Sequence, residues 1–425
     1  MDINNQDGWF FPNPLENKIH ILTDEEIEQL FFLSAKEEQW VNNVRQEVEY
    51  YDKHPGGAGV DWIINELRIM NTGGTIIQYP FNLTVISFPS RRHLFRGEPQ
   101  VYDETLPSLN RKIKGRTSKE RLLLQAVADM RATQFFKFIW KINVVPYWEA
   151  KLSDVNHKAL AQHYGFDTNL LDLTNDIRVA LFFATCKYIP ETDSYRPLTK
   201  EECEKRGYGV IFHTPDWCVD CYNGSNLMKL TSQMGPRMDQ PLNIEDGSCD
   251  GVAFQIGLQP LMRCHHQSGY ILPMVNDAPL QKDWNYEKLY VKLSLELSEK
   301  VFHMMDSGKK VFPNEGINEA RDILDMIKKS TLFSEDDLNS AYEKIGSKSY
   351  KSVEDFRTAL EGLDEGISFQ KEEVDYPISP ELLDRINAKY DNKDLLEPVG
   401  GMLHWKPEDK RYREQRCIEI YGKLI

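Results

Sequence analysis

The segment AQHYGFDTNLLDLTNDIRVALFFAT, residues 161–185, constrains the fold of this chain more than any other stretch. Gly165 predicts a helix stop, because glycine accepts the left-handed backbone conformation that follows many helices. Thr174, Asn175 and Asp176 then offer N-cap oxygens for a second, apolar helix. The pattern predicts a broken helix whose polar break presents free backbone N–H groups, a common place to hold an anion.

The polar residues at this break have two interpretations. His163 and Asp172 can form a buried pair that only stabilises the junction, with Tyr164 packed in the core. Alternatively the three side chains belong to a functional site, since ionisable clusters serve both purposes. Matching chemistry in three other segments favours the functional interpretation.

Those three segments place arginines beside turn residues. The strand-like HLFRGEP, residues 93–99, presents Arg96, whose planar guanidinium suits a phosphate or carboxylate. Gly97 beside it lets the backbone approach a ligand closely. LPSLNRK follows a proline-marked turn, and QPLMRCHHQSGYIL leads into a predicted strand. These two segments add Ser108, Arg111, Arg263, Gln267 and Gly269.

Together the segments resemble the FRG domain, a bacterial family named for a Phe-Arg-Gly motif that is found here at residues 95–97. The family's other motifs are similar to residues 107–111, 162–165, 168–174, 180–184, 263–269 and 309–316. The chain departs from the family at Asn169, where arginine is usual, and at Leu173, where tryptophan is usual. The resemblance covers about residues 85–330.

We expect an α+β fold with mixed helices around a central, partly antiparallel sheet, flanked by helical N- and C-terminal extensions. The predicted organisation is a helical extension at 1–84, an FRG-like domain at 85–330 and a second helical extension at 331–425. Hydrophobic periodicity predicts the elements. Helices are expected at 23–52, 119–142, 334–345, 352–361 and 379–390, and strands near 75–97 and at 288–297.

Charge and hydropathy limit the functional classes. A formal net charge of −15 argues against a general nucleic-acid coat, because phosphate binding needs clustered Lys and Arg. Residues 111–121, RKIKGRTSKER, form a local basic cluster that is either a solvated loop or a phosphate or nucleic-acid contact. No signal peptide or membrane-spanning run is visible, so we expect a cytoplasmic protein without a membrane partner. The terminal extensions are candidates for binding a protein partner.

The seven cysteines predict reduced thiols. Cys218, Cys221 and Cys249, with the Cys-His-His cluster at 264–266, are zinc-ligand types. The second half lacks the paired spacing of zinc modules, so core packing is favoured and no metal is expected. The chain also has no P-loop or dinucleotide fingerprint, and ATP or Rossmann-type NAD binding is therefore unsupported.

The leading hypothesis is an enzyme acting on a phosphate-bearing ligand in a toxin or anti-phage defence setting. The most specific version is an NAD-dependent reaction similar to ADP-ribosyl transfer, since an Arg-Gly pair at a strand end resembles the pair that grips NAD in transferases of that fold. The expected catalytic residues are His163, Tyr164, Asp172 and Glu98. The expected ligand-binding residues are Arg96, Gly97, Ser108, Arg111, Thr174, Arg263 and Gln267.

Each hypothesis requires distant residues to meet. Arg96, His163, Asp172, Arg263 and Gln267 are predicted to line one pocket. Two other functions use the same pocket. One is a non-catalytic sensor module that binds a nucleotide or a partner. The other is a metal-independent nuclease toxin in which His163 is the general acid and base.

Overall fold

The structure is a computed structural model that describes part of the chain. The described residues are 20–21, 23–25, 28, 75–79, 83–87, 93–146, 155–174, 176–215, 253–256, 259–274, 278–283, 286–390 and 401–403. Most of the predicted helix at 23–52, the cysteines Cys218, Cys221 and Cys249, and the tail after 403 lie outside these ranges.

Fourteen strands are found in the described part of the chain. They are β1 (His20–Ile21), β2 (Thr75–Tyr79), β3 (Leu83–Ser87), β4 (His93–Glu98), β5 (Leu170–Thr174), β6 (Cys186–Ile189), β7 (Ser194–Pro197), β8 (Tyr208–Pro215), β9 (Phe254–Gln255), β10 (Gly269–Pro273), β11 (Glu287–Lys292), β12 (Leu332–Ser334), β13 (Ser368–Gln370) and β14 (Gly401–Leu403).

Seven of these strands form the central sheet, in the order β1-β11-β8-β4-β5-β10-β9. Only β1 and β11 are parallel within this sheet, and its other neighbours are antiparallel. β4 lies at the centre, where it pairs with β8 along six residues but meets β5 only at Phe95 and Thr174. β6 and β7 form a separate hairpin.

The helices surround this sheet. They are α1 (Ser108–Ile113), α2 (Ser118–Ile139), α3 (His157–His163), α4 (Ile177–Thr185), α5 (Lys200–Arg206), α6 (Arg263–His266), α7 (Leu295–Met304), α8 (Arg321–Lys328), α9 (Glu335–Lys344), α10 (Val353–Glu361) and α11 (Pro380–Tyr390). Short 3-10 turns lie at Leu280–Lys282, Gly316–Ala320 and Gly346–Lys348. The expected α+β class with a partly antiparallel central sheet is confirmed, and all neighbouring strands of this sheet except β1 and β11 are antiparallel.

The long helix α2 connects two parts of the core. Its first half packs against the C-terminal helices in a cluster that includes Phe333 and Phe356. Its second half packs against α3 and the last helix in a cluster that includes Ile386 and Tyr390. Residues 331–390 therefore share a hydrophobic core with the preceding part of the chain. The predicted domain boundaries stay predictions.

Two predictions about single elements are wrong. The segment around Asp172 is not a broken helix, because strand β5 lies between α3 and α4. Its LLDLT sequence is apolar and short, and such runs do not distinguish strands from buried helical turns. The strand predicted at 288–297 ends at Lys292, because the Ser294 side chain accepts a hydrogen bond from the Leu297 amide and starts α7.

The predicted boundaries of the two helices that flank β5 are confirmed. Gly165 has a φ of +81° directly after α3, as expected for a helix stop. The Asp176 carboxylate accepts a hydrogen bond from the Arg178 amide at the start of α4. Among the described residues, no helix combines the length and apolarity needed to cross a bilayer.

Candidate functional site

Two glycines bring helix α4 down onto the sheet beside the Arg-Gly motif. A Cβ atom at Gly97 would lie 1.7 Å from the Ala180 carbonyl oxygen, and one at Gly209 would lie 2.3 Å from that of Ala184. These distances exclude any side chain at either position without a backbone shift. Gly97 is predicted to let the backbone approach a ligand closely, whereas the close approach in the structure is made by helix α4.

A cleft of about 670 Å³ opens beside this helix–strand contact. Ten of the eleven predicted site residues line it, namely Arg96, Gly97, Glu98, Arg111, His163, Tyr164, Asp172, Thr174, Arg263 and Gln267. Ser108 does not: its hydroxyl accepts a hydrogen bond from the Thr168 amide at 3.3 Å and supports the turn before β5. The structure brings the five residues that were predicted to share a pocket into this one cleft.

Arg96 lies at the cleft wall and is held by the protein on two sides. Its Nη1 donates to the Asp172 carbonyl oxygen at 2.9 Å, and its Nε donates to Glu98 Oε1 at 2.9 Å. The second oxygen of Glu98 accepts from the Thr105 hydroxyl at 2.8 Å. Glu98 is buried with both oxygens in use, so it orients Arg96.

Asp172 is the more accessible carboxylate, with 34% of its side chain exposed against 6% for Glu98. Its Oδ2 accepts from Gln162 Nε2 at 3.1 Å. Gln162 is fixed in turn, because its Oε1 accepts from the Thr168 hydroxyl. The Asp172 carboxylate thus enters the cleft in a defined orientation.

His163 lies behind Asp172 at the floor of the cleft. Its Nε2 is 3.8 Å from Asp172 Oδ1, too far for a hydrogen bond, and both atoms are buried without a partner. Burial lowers the pKa of His163, with Asp172 opposing and Arg263 adding to that effect. The imidazole is therefore neutral near pH 7.

Arg263 is buried at the opposite side and also held by the protein. Its Nη1 donates to the His163 carbonyl oxygen at 2.9 Å, and its Nη2 donates to Asp193 Oδ2. The guanidinium lies 3.7 Å from the Phe312 ring centre and 4.6 Å from that of Tyr164. Burial raises the pKa of Asp193, but the charge of Arg263 and the hydroxyl of Tyr188 outweigh it and hold the pKa below its usual value.

Tyr164 points its hydroxyl away from the open part of the cleft. It donates to the fully buried Glu315, which also accepts from the Tyr390 hydroxyl at 3.0 Å and the Met262 amide at 2.8 Å. Burial raises the pKa of Glu315 in spite of these donors. The expected catalytic residue Tyr164 therefore connects the cleft to the C-terminal helix α11 through its hydroxyl, while its ring stacks on Arg263.

An aromatic wall lines the same cleft, and no sequence motif predicted it. We use that name for Phe183, Tyr188, Tyr195 and Phe312, whose rings contact one another at centroid distances of 5.3 to 6.1 Å. Tyr188 and Tyr195 come from the β6–β7 hairpin, whose Asp193 has a φ of +48° in the turn. The available sequence signal was the period-two spacing of strand residues in CKYI, residues 186–189, and in YRP, residues 195–197.

The remaining predicted residues take supporting positions at the cleft. The Thr174 hydroxyl accepts from the Asp176 amide at 3.0 Å, and Arg111 Nη1 donates to the Leu106 carbonyl oxygen at 2.6 Å. Gln267 Nε2 donates to the Val311 carbonyl oxygen at 3.3 Å. Cys186 also lines the cleft, and burial raises the pKa of its thiol to about 12, which keeps it protonated.

The two departures from the family pattern are both buried. Asn169 lines a separate small cavity next to Lys158 and Lys344. Leu173 packs among apolar residues that include Leu94 and Phe212. The loss of the usual arginine at Asn169 therefore leaves the contacts of Arg96 and Asp172 in the cleft intact.

Two of the predicted zinc-ligand types, Cys264 and His266, contact backbone carbonyl oxygens in the described part of the chain. Cys264 Sγ contacts the Leu261 carbonyl oxygen at 3.3 Å, and His266 Nδ1 contacts that of Lys310 at 3.3 Å. Within the described ranges, no group of three or more His, Cys, Asp or Glu is arranged to hold a metal ion.

Comparison with known families matches the FRG domain to residues 91–193. The match includes every predicted site residue except Arg263 and Gln267, which join the cleft from a later part of the chain. No curated protein and no solved structure matches the chain. The sequence motifs and the family match together show that this chain contains an FRG domain.

Proposed function

We propose that the cleft binds a nucleotide and that its first substrate is NAD, used in a reaction similar to ADP-ribosyl transfer. The observation that carries this proposal is the pairing of two unlike walls in one cleft. Arg96, His163 and Asp172 line the cleft together with the rings of the aromatic wall. A nucleotide has the same division, since an aromatic base adjoins a polar sugar and phosphates.

The size and the hydrogen-bonding state of the cleft fit such a ligand. A volume of about 670 Å³ lies within the range of small-molecule sites. His163 Nε2, Asp172 Oδ1 and Arg263 Nε are buried without hydrogen-bond partners. Buried polar atoms are normally paired, so three unpaired ones at one cleft differ from ordinary core packing and favour a functional role for this region.

Asp172 is the residue we assign to the reacting bond. NAD, when bound, supplies a nicotinamide–ribose bond whose cleavage leaves positive charge on the ribose and releases neutral nicotinamide. The Asp172 carboxylate, oriented by Gln162, stabilises that positive charge in the cleft. The same carboxylate then accepts the proton that the attacking acceptor loses.

Arg96 and the aromatic wall have binding roles in this proposal. Arg96 is fixed by Glu98 and the Asp172 carbonyl, and 21% of its side chain remains exposed to meet a phosphate. The rings of the aromatic wall offer stacking surfaces for a base or for nicotinamide. Arg263 is saturated by protein contacts on both Nη atoms and positions the hairpin.

The experiment is incubation of the protein with NAD labelled in the nicotinamide ring, followed by measurement of released nicotinamide. We expect release by the wild type and at least a hundredfold slower release by Asp172→Asn, a typical cost of losing a positioned charge. Asp322→Asn makes the same chemical change on the exposed face of α8 and is expected to keep wild-type activity.

The outcomes separate catalysis from binding. Binding of NAD at millimolar concentration without release would overturn the enzymatic proposal and favour the sensor alternative. If the protein neither binds NAD nor releases nicotinamide, NAD is not its ligand. The nuclease alternative gains no support from the cleft, because the His163 imidazole that it requires is 2% exposed.

A further inference from the structure

A row of cations lies next to the cleft and has no part in the proposed reaction. We call Arg111, Lys112, Lys114, Arg116 and Lys119 the basic strip. It follows α1, the turn after it and the start of α2, and every member is exposed. It contrasts with the formal net charge of −15 for the whole chain.

The strip retains positive charge after its ion pairs are counted. Lys112 pairs with Asp167, Lys114 with Glu104 and Arg116 with Glu120. Arg111 instead donates to a carbonyl oxygen, and Lys119 lies 5.4 Å over the Tyr350 ring, so these contacts leave their charges unneutralised.

The three ion pairs are weak competitors for a polyanion. The side chains of Lys112, Lys114 and Arg116 are 65%, 46% and 56% exposed. Exposed pairs of this kind contribute little to stability, so each cation can exchange its carboxylate for a phosphate. Phosphate binding also releases condensed counterions, which favours the exchange at low salt.

The basic strip joins two concave surfaces. Arg111 lines the cleft, together with Glu104. Lys112, Arg116 and Lys119 line a second groove of about 630 Å³ that runs between α1, α2 and the end of α10. The lining of this groove also includes Glu120, Asp167, Asp364 and Glu365, so a chain of phosphates would follow the exposed cations of the strip toward the cleft and not the floor of the groove.

Two exposed aromatic rings line the same cleft as Arg111. Tyr102 is 42% exposed, and Tyr188, which belongs to the aromatic wall, is 39% exposed. Cations that follow a backbone, together with aromatic rings on which bases stack, are the combination that binds single-stranded nucleic acid.

We propose that the basic strip and Tyr102 bind a single-stranded nucleic acid and direct it to the mouth of the cleft. Bases in a duplex are paired and stacked, so they cannot lie on Tyr102, and a single strand is the favoured form. This inference goes beyond the proposed function and does not depend on NAD cleavage.

The test is fluorescence anisotropy with labelled single-stranded DNA and RNA of about 16 nucleotides, near the upper site size of comparable binding folds. The full chain is titrated without NAD at several salt concentrations. We expect binding by the wild type at low salt and at least about tenfold weaker binding by Lys112→Glu/Arg116→Glu. Loss of two phosphate contacts is expected to reduce the slope of log K against log salt by about 1.4.

The matched control is Lys329→Glu/Lys371→Glu, which changes the net charge equally at exposed positions away from the strip. Its affinity is expected to stay within about threefold of wild type, because distant exposed charges are screened. Tyr102→Ala is expected to weaken binding about tenfold through lost stacking. If the double glutamate variant fails to fold, Lys112→Gln/Arg116→Gln takes its place.

Three results would overturn the inference. The first is no binding of either single strand by the wild type at low salt. The second is an equal loss of affinity in the control variant, which would assign the effect to net charge alone. The third is binding of a duplex of the same length as tightly as the single strands, with Tyr102→Ala unchanged.

Discussion

At the scale of single residues, His163 and Asp172 lie close together without a hydrogen bond between their side chains. Their nearest side-chain atoms are 3.8 Å apart, and neither finds a partner. Gly269 lies beside them, and a Cβ there would come within 3.4 Å of His163 Nε2. Unpaired buried polar atoms cost free energy, so the close approach of these two side chains does not by itself stabilise the fold.

The burial of His163 gives a pH prediction. Its pKa is lowered from the ordinary 6.5, mainly by desolvation, so the unfolded chain binds a proton that the folded chain excludes. Its contribution to stability is therefore complete above pH 6.5 and is lost as the pH falls below that value. We expect His163→Gln to flatten the decline in the free energy of unfolding between about pH 7 and pH 5, measured by urea titration.

The control for this prediction is His303→Gln, which replaces an exposed histidine on α7. That variant is expected to retain the pH dependence of the wild type, because its ring stays in solvent in both states. A His163→Gln variant that kept the full decline would show that other groups cause it.

At the scale of elements, the two residues of the Arg-Gly motif have different roles. The Arg96 side chain points to the cleft, while Gly97 removes the Cβ that would separate β4 from α4. Gly209 does the same for β8 one helical turn further along, opposite Ala184. Helix α4 therefore rests on two adjacent strands of the sheet, and Val179 and Phe183 extend from it to the cleft.

This packing predicts a large effect for a small substitution. Gly97→Ala places a methyl group 1.7 Å from the Ala180 carbonyl oxygen, so α4 or β4 must move. Overpacking of this kind costs about 1 to 3 kcal/mol, and contact with rigid backbone belongs at the upper end. We expect a loss of about 3 kcal/mol in the free energy of unfolding, measured by urea titration.

Gly362→Ala is the control for that measurement. Gly362 follows α10 with a φ of −76°, and its nearest contact would be 3.3 Å. We expect a change below about 1 kcal/mol there. Equal effects at the two glycines would contradict the packing argument.

Elements with their own capping residues were predictable from sequence, and elements defined by pairing were not. Helices predicted at 334–345 and 352–361 begin after Ser334 and Ser352, whose hydroxyls accept hydrogen bonds from Asp337 and Asp355 amides. Strand β5 has no such local signal, since it exists through its register with β10. A pattern of apolar residues alone could not distinguish it from the end of a helix.

At the scale of the whole molecule, the same distinction holds for the cleft. Its polar residues were predictable because they lie inside sequence motifs. Glu315 and Tyr390 were not, because Tyr164 bonds Glu315 across 151 residues of sequence and Glu315 in turn accepts from Tyr390 across another 75. The aromatic wall likewise combines a hairpin with Phe312 from a distant turn. Such contacts depend on tertiary packing, which the local pattern does not encode.

The central sheet also depends on residues outside the matched FRG segment. Within residues 91–193, β4 and β5 share a single register pair, Phe95 with Thr174. The neighbour that pairs with β4 along its whole length is β8, and the long partner of β5 is β10. Both lie after residue 193, as do the C-terminal helices that cover α2.

We therefore expect the isolated segment 91–193 not to fold, and a fragment of residues 91–390 to unfold cooperatively. The short fragment keeps α2 and α4 but leaves their apolar faces without β8, β10 and the C-terminal helices, and two strands joined by one pair do not form a stable sheet. Thermal unfolding followed by circular dichroism tests both fragments. A sharp transition in the 91–193 fragment would show that the family segment is an autonomous unit, and the later strands would then be additions to a fold that is complete without them.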